Sequence, residues 1–229
     1  VITDKYYGGD IRRAQSRELL GGEYRERAST RTPNSGARSM EWRHICVDMQ
    51  RMFAEDTPWY VSWMEAVLPQ VTELSERHAE RTIFTRFVPP EKPDVLPGTW
   101  CAYYRKWWMM TGEHLPSEMV DVVPVLKKLI PPAICFDKRV YSPWFDGRLH
   151  SLLSGERVST LAISGGETDV CVMATVFGAI DLGYRTIILK DAVCSGADQT
   201  HDASLKLLGN RFSTQLELME TEEFLSGVK

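Results

Sequence analysis

Three side chains of complementary reactivity recur at corresponding places along this 229-residue chain: a carboxyl at Asp48, an amine at Lys138 and a thiol at Cys171. Each follows a short apolar, β-branched run. Asp48 comes after His44–Val47, Lys138 after Ala133–Phe136, and Cys171 past Thr160–Ser164, where a helical stretch begins. A thiol with a pKa of about 8.5 is mostly protonated at neutral pH, but an adjacent cation and a helix N-terminus both favour the thiolate. Lys138 and the first helical turn supply such fields. Asp48 then accepts the thiol proton as sulfur attacks a carbonyl carbon, and later passes it to the departing amine. Backbone N–H groups of the Gly165-Gly166-Glu167-Thr168 turn are placed to meet the developing oxyanion, a contribution worth several kcal/mol in acyl transfer.

Taken singly, each residue has an ordinary structural reading. A carboxylate after a strand caps the next helix as readily as it catalyses. A lysine is usually a solvated charge, and a lone cysteine near a helix start is more often a small buried hydrophobe. Asp191, after Thr186–Leu189, reads mainly as structural. Together the three gain weight, because ligands of open α/β sheets bind beyond the carboxyl ends of the strands, and all three are expected at that edge.

The elements that must position them follow from the apolar pattern. Short runs at His44–Val47, Arg81–Phe87, Ala133–Phe136, Thr160–Ser164, Thr186–Leu189 and Thr214–Met219 read as strands. Between them lie helical stretches. Val61, Met64, Val67, Leu68, Val71 and Leu74 share helical spacing within Trp59–Glu80, with Pro69 as a candidate kink. Another helix is expected to start at Leu149–Leu153, a clearer one from Asp169 to Leu182 with a left-handed cap at Gly183, and a third over His201–Leu208. The alternation implies a three-layer α/β/α fold, a doubly wound, mostly parallel six-stranded sheet of Rossmann-like type covered on both faces. Val88 to Pro116 reads as a long aromatic and proline-rich connection, a class that is often functional. Residues 1–40, rich in Arg, Glu, Ser and Gly with a turn-prone Thr30–Gly36, read as an extension, either a partly ordered arm or one that wraps a neighbouring subunit. Residues 41–229 form the one domain.

Three separated segments carry a resemblance to a known family. Gly165-Gly-Glu-Thr-Asp-Val-Cys-Val172, Thr175-Val-Phe-Gly-Ala-Ile-Asp-Leu-Gly-Tyr184 and Lys190-Asp-Ala192 together resemble the signature of the isochorismatase-like cysteine hydrolases. Asp48-Met-Gln50 resembles the first-strand motif, and Lys138-Arg-Val-Tyr-Ser142 with Trp144 or Phe145 resembles the lysine segment. The likeness runs from about Glu41 to Glu222. It implies a catalytic triad of Asp48, Lys138 and Cys171, an oxyanion hole from the backbone N–H groups of Glu167 and Cys171, a non-proline cis peptide between Gly166 and Glu167, and a homo-oligomer, dimer or tetramer. Glu167 departs from the small or apolar residue usual in the family. Nicotinamidases of the family carry Asp-x-His and further histidines for a metal after the second strand; Thr85-Arg-Phe-Val-Pro-Pro-Glu-Lys-Pro-Asp94 has none. No metal and no cofactor are expected, and the metal-independent amidohydrolase branch fits best. Isochorismate-cleaving relatives lack the cysteine, so Cys171 favours a C–N bond of a small amide, ureido or lactam substrate. A metal-independent nicotinamidase-like or isochorismatase-type hydrolase is the alternative, followed by a non-catalytic ligand-binding module of the same fold.

Composition narrows the remaining classes. A hydrophobic fraction of 43% with 25% charged residues is globular. A net charge of -4 gives no general reason to approach nucleic acid. No apolar run reaches the roughly 20 residues of a membrane span, so the chain reads as soluble and cytoplasmic. The cysteines at 46, 101, 135, 171 and 194 make no C-x-x-C pair, and a disulfide framework is not expected. His44, His78, His114, His150 and His201 are scattered, and structural or surface roles are the default. A nucleotide-binding reading of Gly165-Gly166 lacks either glycine-rich phosphate motif. Trp100-Cys-Ala-Tyr-Tyr-Arg-Lys-Trp-Trp108 either packs on the sheet or a partner subunit, or forms an aromatic wall above the thiol. Phe53, Trp59, Trp100, Tyr104, Trp107 and Trp144 are the candidate pocket residues, and Arg105 and Lys106 are placed to meet a carboxylate.

Overall fold

Strand alternation decides which side chains cover which face of the sheet. The computed structural model describes residues 41–228, and the expected arm of residues 1–40 lies outside the described residues. In chain order the elements are β1 (Trp42–Val47), α1 (Arg51–Ala54), α2 (Met64–Arg77), β2 (Thr82–Phe87), α3 (Thr99–Lys106), α4 (Pro124–Lys127) and β3 (Ile134–Lys138). They continue as α5 (Arg148–Gly155), β4 (Thr160–Gly166), α6 (Met173–Asp181), β5 (Arg185–Cys194), α7 (Asp198–Arg211), β6 (Leu216–Met219) and α8 (Thr221–Gly227). The six strands form one sheet in the order β3-β2-β1-β4-β5-β6, every neighbouring pair parallel.

Successive side chains of a strand point to opposite faces. Cys46, Phe84, Ala162 and Ile187 accordingly enter one core with Met64, Val67, Val71 and Leu74 of α2 and Phe224 of α8. Ile45, Ile83, Leu161, Ile163 and Ile188 enter the other, with Leu149 and Leu153 of α5, Val176 and Ala179 of α6, and Leu208 of α7. Each fully buried aliphatic chain stabilises the fold by roughly 1.5–3 kcal/mol. Because both faces are covered, the strands read as nearly continuous apolar runs, which is why they stand out in the sequence.

The elements near the carboxyl edge differ most from expectation. The strand at Ala133–Phe136 runs on to Lys138, so this lysine ends β3 rather than following it. β5 extends to Cys194 and contains Asp191, whose Oδ1 accepts hydrogen bonds from the backbone N and hydroxyl of Thr221 and caps α8. The helix expected from Trp59 begins at Met64 and contains Pro69 without ending there. Within Val88–Pro116 lies α3, which the sequence reading treated as a connection. Gly183 takes the left-handed conformation expected of it, with φ +83°. No helix among the described residues is long and apolar enough to cross a membrane.

β1 lies between β2 and β4, so the chain first winds outward through β2 and β3 and then returns to β4. The carboxyl ends of β1 and β4 therefore border the crevice where the winding direction changes. Their approach requires a glycine. Gly165 pairs with Val47 and has φ +102°, and a Cβ there would overlap the Val47 carbonyl oxygen. Gly165→Ala is expected to cost about 2–4 kcal/mol through backbone strain and overpacking. Urea unfolding of the variant against the parent chain measures this.

Candidate active site

Asp48 follows β1 directly and sits in the left-handed region at φ +49°, which Asp tolerates better than most residues. It is 1% exposed. Its Oδ1 accepts a hydrogen bond from Thr85 Oγ1 at 2.6 Å, and its Oδ2 accepts one from Lys138 Nζ at 2.6 Å. Lys138, 4% exposed, reaches from the end of β3 across the end of β2, with Nζ 5.1 Å from the centre of the Phe87 ring. Nζ also donates to the Val140 carbonyl at 3.3 Å. Cys171, 7% exposed, completes the group, close enough to Asp48 and Lys138 for both to act on its thiol. The expected convergence of carboxyl, ammonium and sulfur is thus found at one rim.

The electrostatics depart from the field-stabilised thiolate expected above. Burial pushes the Cys171 thiol well above its ordinary range, and the opposing pull of Lys138 is insufficient to offset it. Asp48 adds to the upward shift. The resting site therefore holds a thiol. For Lys138 burial acts to lower the pKa, but Asp48 and Cys171 act the other way and the net shift is upward, so the amine stays an ammonium.

Cys171 is carried by a π-helical turn, Thr168–Val172, that leads into α6. In this wider turn the Val170 and Val172 N–H groups both donate to the Glu167 carbonyl, at 3.1 and 3.0 Å. The Gly166–Glu167 peptide is cis, as the resemblance implied. Side-chain bonds brace the turn from behind: Thr168 Oγ1 donates to the Cys194 carbonyl at 3.1 Å and meets His201 Nδ1 at 2.9 Å, and Ser195 Oγ donates to Asp169 Oδ1 at 2.6 Å. His201 is thus a structural residue, as is His44, buried between Thr82 and Ser164 and lowered by burial to a pKa of about 3.

Cys171, Gly166 and Glu167 border a cavity of about 270 Å³. Of the six candidate wall residues, Phe53, Trp59 and Trp107 line it. Three do not. Tyr104 is fully buried in the core beneath the wall. Trp100 packs against Tyr103 and Tyr141 and lines a different cavity, beside Phe145 and Arg148. Trp144 stacks on Tyr184 and donates from Nε1 to the Thr175 carbonyl, resting over Gly178 on the opposite core. Arg105 meets a carboxylate, but it is that of Asp94, at the exposed surface. The sequence reading missed Tyr60, Met64, Phe87, Tyr103 and Tyr141, which complete the wall. Phe87 was within reach of inference, since it ends β2 at the carboxyl edge. Among the described residues no group of three or more His, Cys, Asp or Glu side chains is arranged to hold a metal ion.

Comparison with known proteins identifies the family and the fold. The isochorismatase domain model matches residues 44–220. An uncharacterized isochorismatase family protein of Bacillus subtilis is 32% identical over 119 residues, which span 52% of this chain and 60% of that protein. A protein of Arabidopsis thaliana named a probable inactive nicotinamidase is 33% identical over 181 residues, 72% of this chain and 87% of its own length. Among solved structures, a cysteine hydrolase from Pseudomonas syringae pv. phaseolicola has a TM-score of 0.70 at 22% identity, covering 82% of this chain and 92% of that one. That last likeness is one of fold.

Two outcomes follow from the buried pair. Lys138→Met leaves the Asp48 carboxyl buried and unpaired and is expected to cost about 3–5 kcal/mol at pH 7, with part of that recovered in Asp48→Asn/Lys138→Met; urea unfolding of the three chains is the measurement. Because the Cys171 pKa is raised, its alkylation by iodoacetamide is expected to climb about tenfold per pH unit from pH 7 to 9. Peptide mapping by mass spectrometry follows it, and a plateau below pH 7 would show a resting thiolate instead.

Proposed function

The chain belongs to the isochorismatase family, and on that premise we propose that it is a cysteine-dependent hydrolase of a C–N bond in a small amide, ureido or lactam substrate. One observation carries the reading: a cavity-lining thiol beside a carboxylate that is itself fixed by a buried ammonium. Such a group has no structural need for the cavity beside it.

The steps follow from who holds the proton. As the Cys171 sulfur forms a bond to the substrate carbonyl carbon, its proton moves to Asp48 and the carbonyl oxygen takes up the negative charge. The Glu167 and Cys171 N–H groups are assigned as the two donors to that oxygen. The C–N bond then breaks, Asp48 passes the proton to the departing nitrogen, and a thioester (or a thiocarbamate, from a ureido substrate) remains on Cys171. Water attacks the acyl carbon, giving a proton to Asp48. The sulfur–carbon bond breaks, the acid leaves, and sulfur recovers the proton. Lys138 holds Asp48 in place and offsets the negative charge that appears on sulfur, which is worth most in a dry site. The aromatic wall supplies that dryness.

Cys171→Ala is expected to lower ammonia or amine release from a panel of small amides, ureas and lactams by at least about a thousandfold, to the level left by binding alone. Intact-protein mass spectrometry of the parent chain with a slow amide should show one acyl adduct on Cys171. Full turnover by Cys171→Ala would overturn the mechanism, and a panel with no turnover by the parent chain would leave a binding module as the better reading.

A further inference from the structure

Apart from the cysteine thiol, the cavity lining carries one carboxyl, that of Glu167, and no lysine, arginine or histidine among the described residues. The rest of its wall is chiefly aromatic: Phe53, Trp59, Tyr60, Phe87, Tyr103 and Tyr141 all contribute. Trp59 sits at the centre of these rings, stacked on Phe53 at 6.1 Å and within 5.9 Å of Tyr103, measured between ring centres. Glu167 Oε1 accepts a hydrogen bond from the Gly196 N–H at 3.3 Å, which anchors the side chain, while Oε2 has no hydrogen-bond partner among the described residues.

We propose that this cavity selects substrates bearing a positive charge, an ammonium or alkylammonium group beside the scissile amide, held between the aromatic wall and Glu167. The proposal rests on the hydrolase reading above and adds the charge class of the substrate. Three observations support it. A cation over aromatic faces is attracted by their quadrupoles, most strongly where water is excluded. The neighbouring charges are otherwise settled, since Lys138 is paired with Asp48 at 2.6 Å and engages Phe87 from its own side, so with a neutral thiol Glu167 leaves the site one negative charge in excess. An anionic substrate would meet that excess with no cationic side chain on the lining to receive it, a repulsive element that discriminates as effectively as an attractive one. Burial also holds the Glu167 carboxyl above the ordinary carboxylate range, and a cation placed beside it favours the charged form.

Trimethylglycinamide and 3,3-dimethylbutanamide test this directly, because they differ only in nitrogen for carbon at the branched centre, with malonamate as the anionic counterpart. Their dissociation constants on the Cys171→Ala chain, read by calorimetric titration, separate recognition from turnover. The cationic amide is expected to bind at least about tenfold more tightly than its carbon isostere and malonamate most weakly, with the preference reduced several-fold in Cys171→Ala/Glu167→Gln. Equal binding of the two isosteres, or tighter binding of malonamate, overturns the proposal, and that comparison needs no change at Glu167. Ammonia release by the parent chain is read in parallel. Turnover of all three amides without a charge preference would sink this inference and leave the hydrolase reading standing. A cation preference in binding with no ammonia from any amide would do the reverse.

Discussion

Two opposite charges buried where the sheet changes its winding direction set the terms for everything around them. Removing Asp48 and Lys138 from water costs several kcal/mol for each ion, and their attraction repays this only if the remaining polar atoms are also satisfied. Thr85 and the Val140 carbonyl meet that need. The pair thereby ties the ends of β1, β2 and β3 together, because Thr85 comes from β2 and the ammonium stretches over Phe87 to reach its partner. The fourth contributor, β4, delivers sulfur to the same spot through the close contact of Gly165 with Val47.

A charged pair alone would not make a nucleophile. What the site adds is a thiol whose proton is retained by burial while a carboxylate lies against it. In the proposed mechanism sulfur becomes nucleophilic only as its proton leaves, in step with bond formation at a carbonyl carbon. The π-helical turn suits this use, since its wider spacing brings two N–H groups onto the Glu167 carbonyl and sets Cys171 between them. The cavity walls then decide what reaches the sulfur, and they do so with rings and one carboxyl.

Much of this was legible in the sequence because buried parallel strands write themselves as apolar runs, and because reactive residues following such runs fall at one edge. Asp48, Lys138 and Cys171 are placed that way, and the family signature adds the cis peptide. The wall was less legible. Trp100, Tyr103 and Tyr104 share one stripe of α3, with Trp107 just past its end, but the prolines before it masked the helix. Even with the helix recognised, composition does not tell Tyr103, which borders the cavity, from Tyr104, which is core, because that depends on a rotation of about 100° between successive residues. Trp144 misled for a related reason: it lies six residues after Lys138, yet the chain has by then crossed to the face where Gly178 leaves room for its ring. The protonation of Cys171 could not be read at all, since it depends on how thoroughly water is excluded.

The order of the strands has a consequence for synthesis. His44 of β1 and Ser164 of β4 hydrogen-bond to each other across 120 residues of sequence, and Asp48 meets Lys138 across 90. Contacts of such long range close large loops before they repay the entropy, so they form late. While the chain emerges from the ribosome, β1 waits with an open edge until β4 has been made. A nascent polypeptide ending before β4 already contains the acid and the amine, at the ends of β1 and β3, but not the sulfur that follows β4.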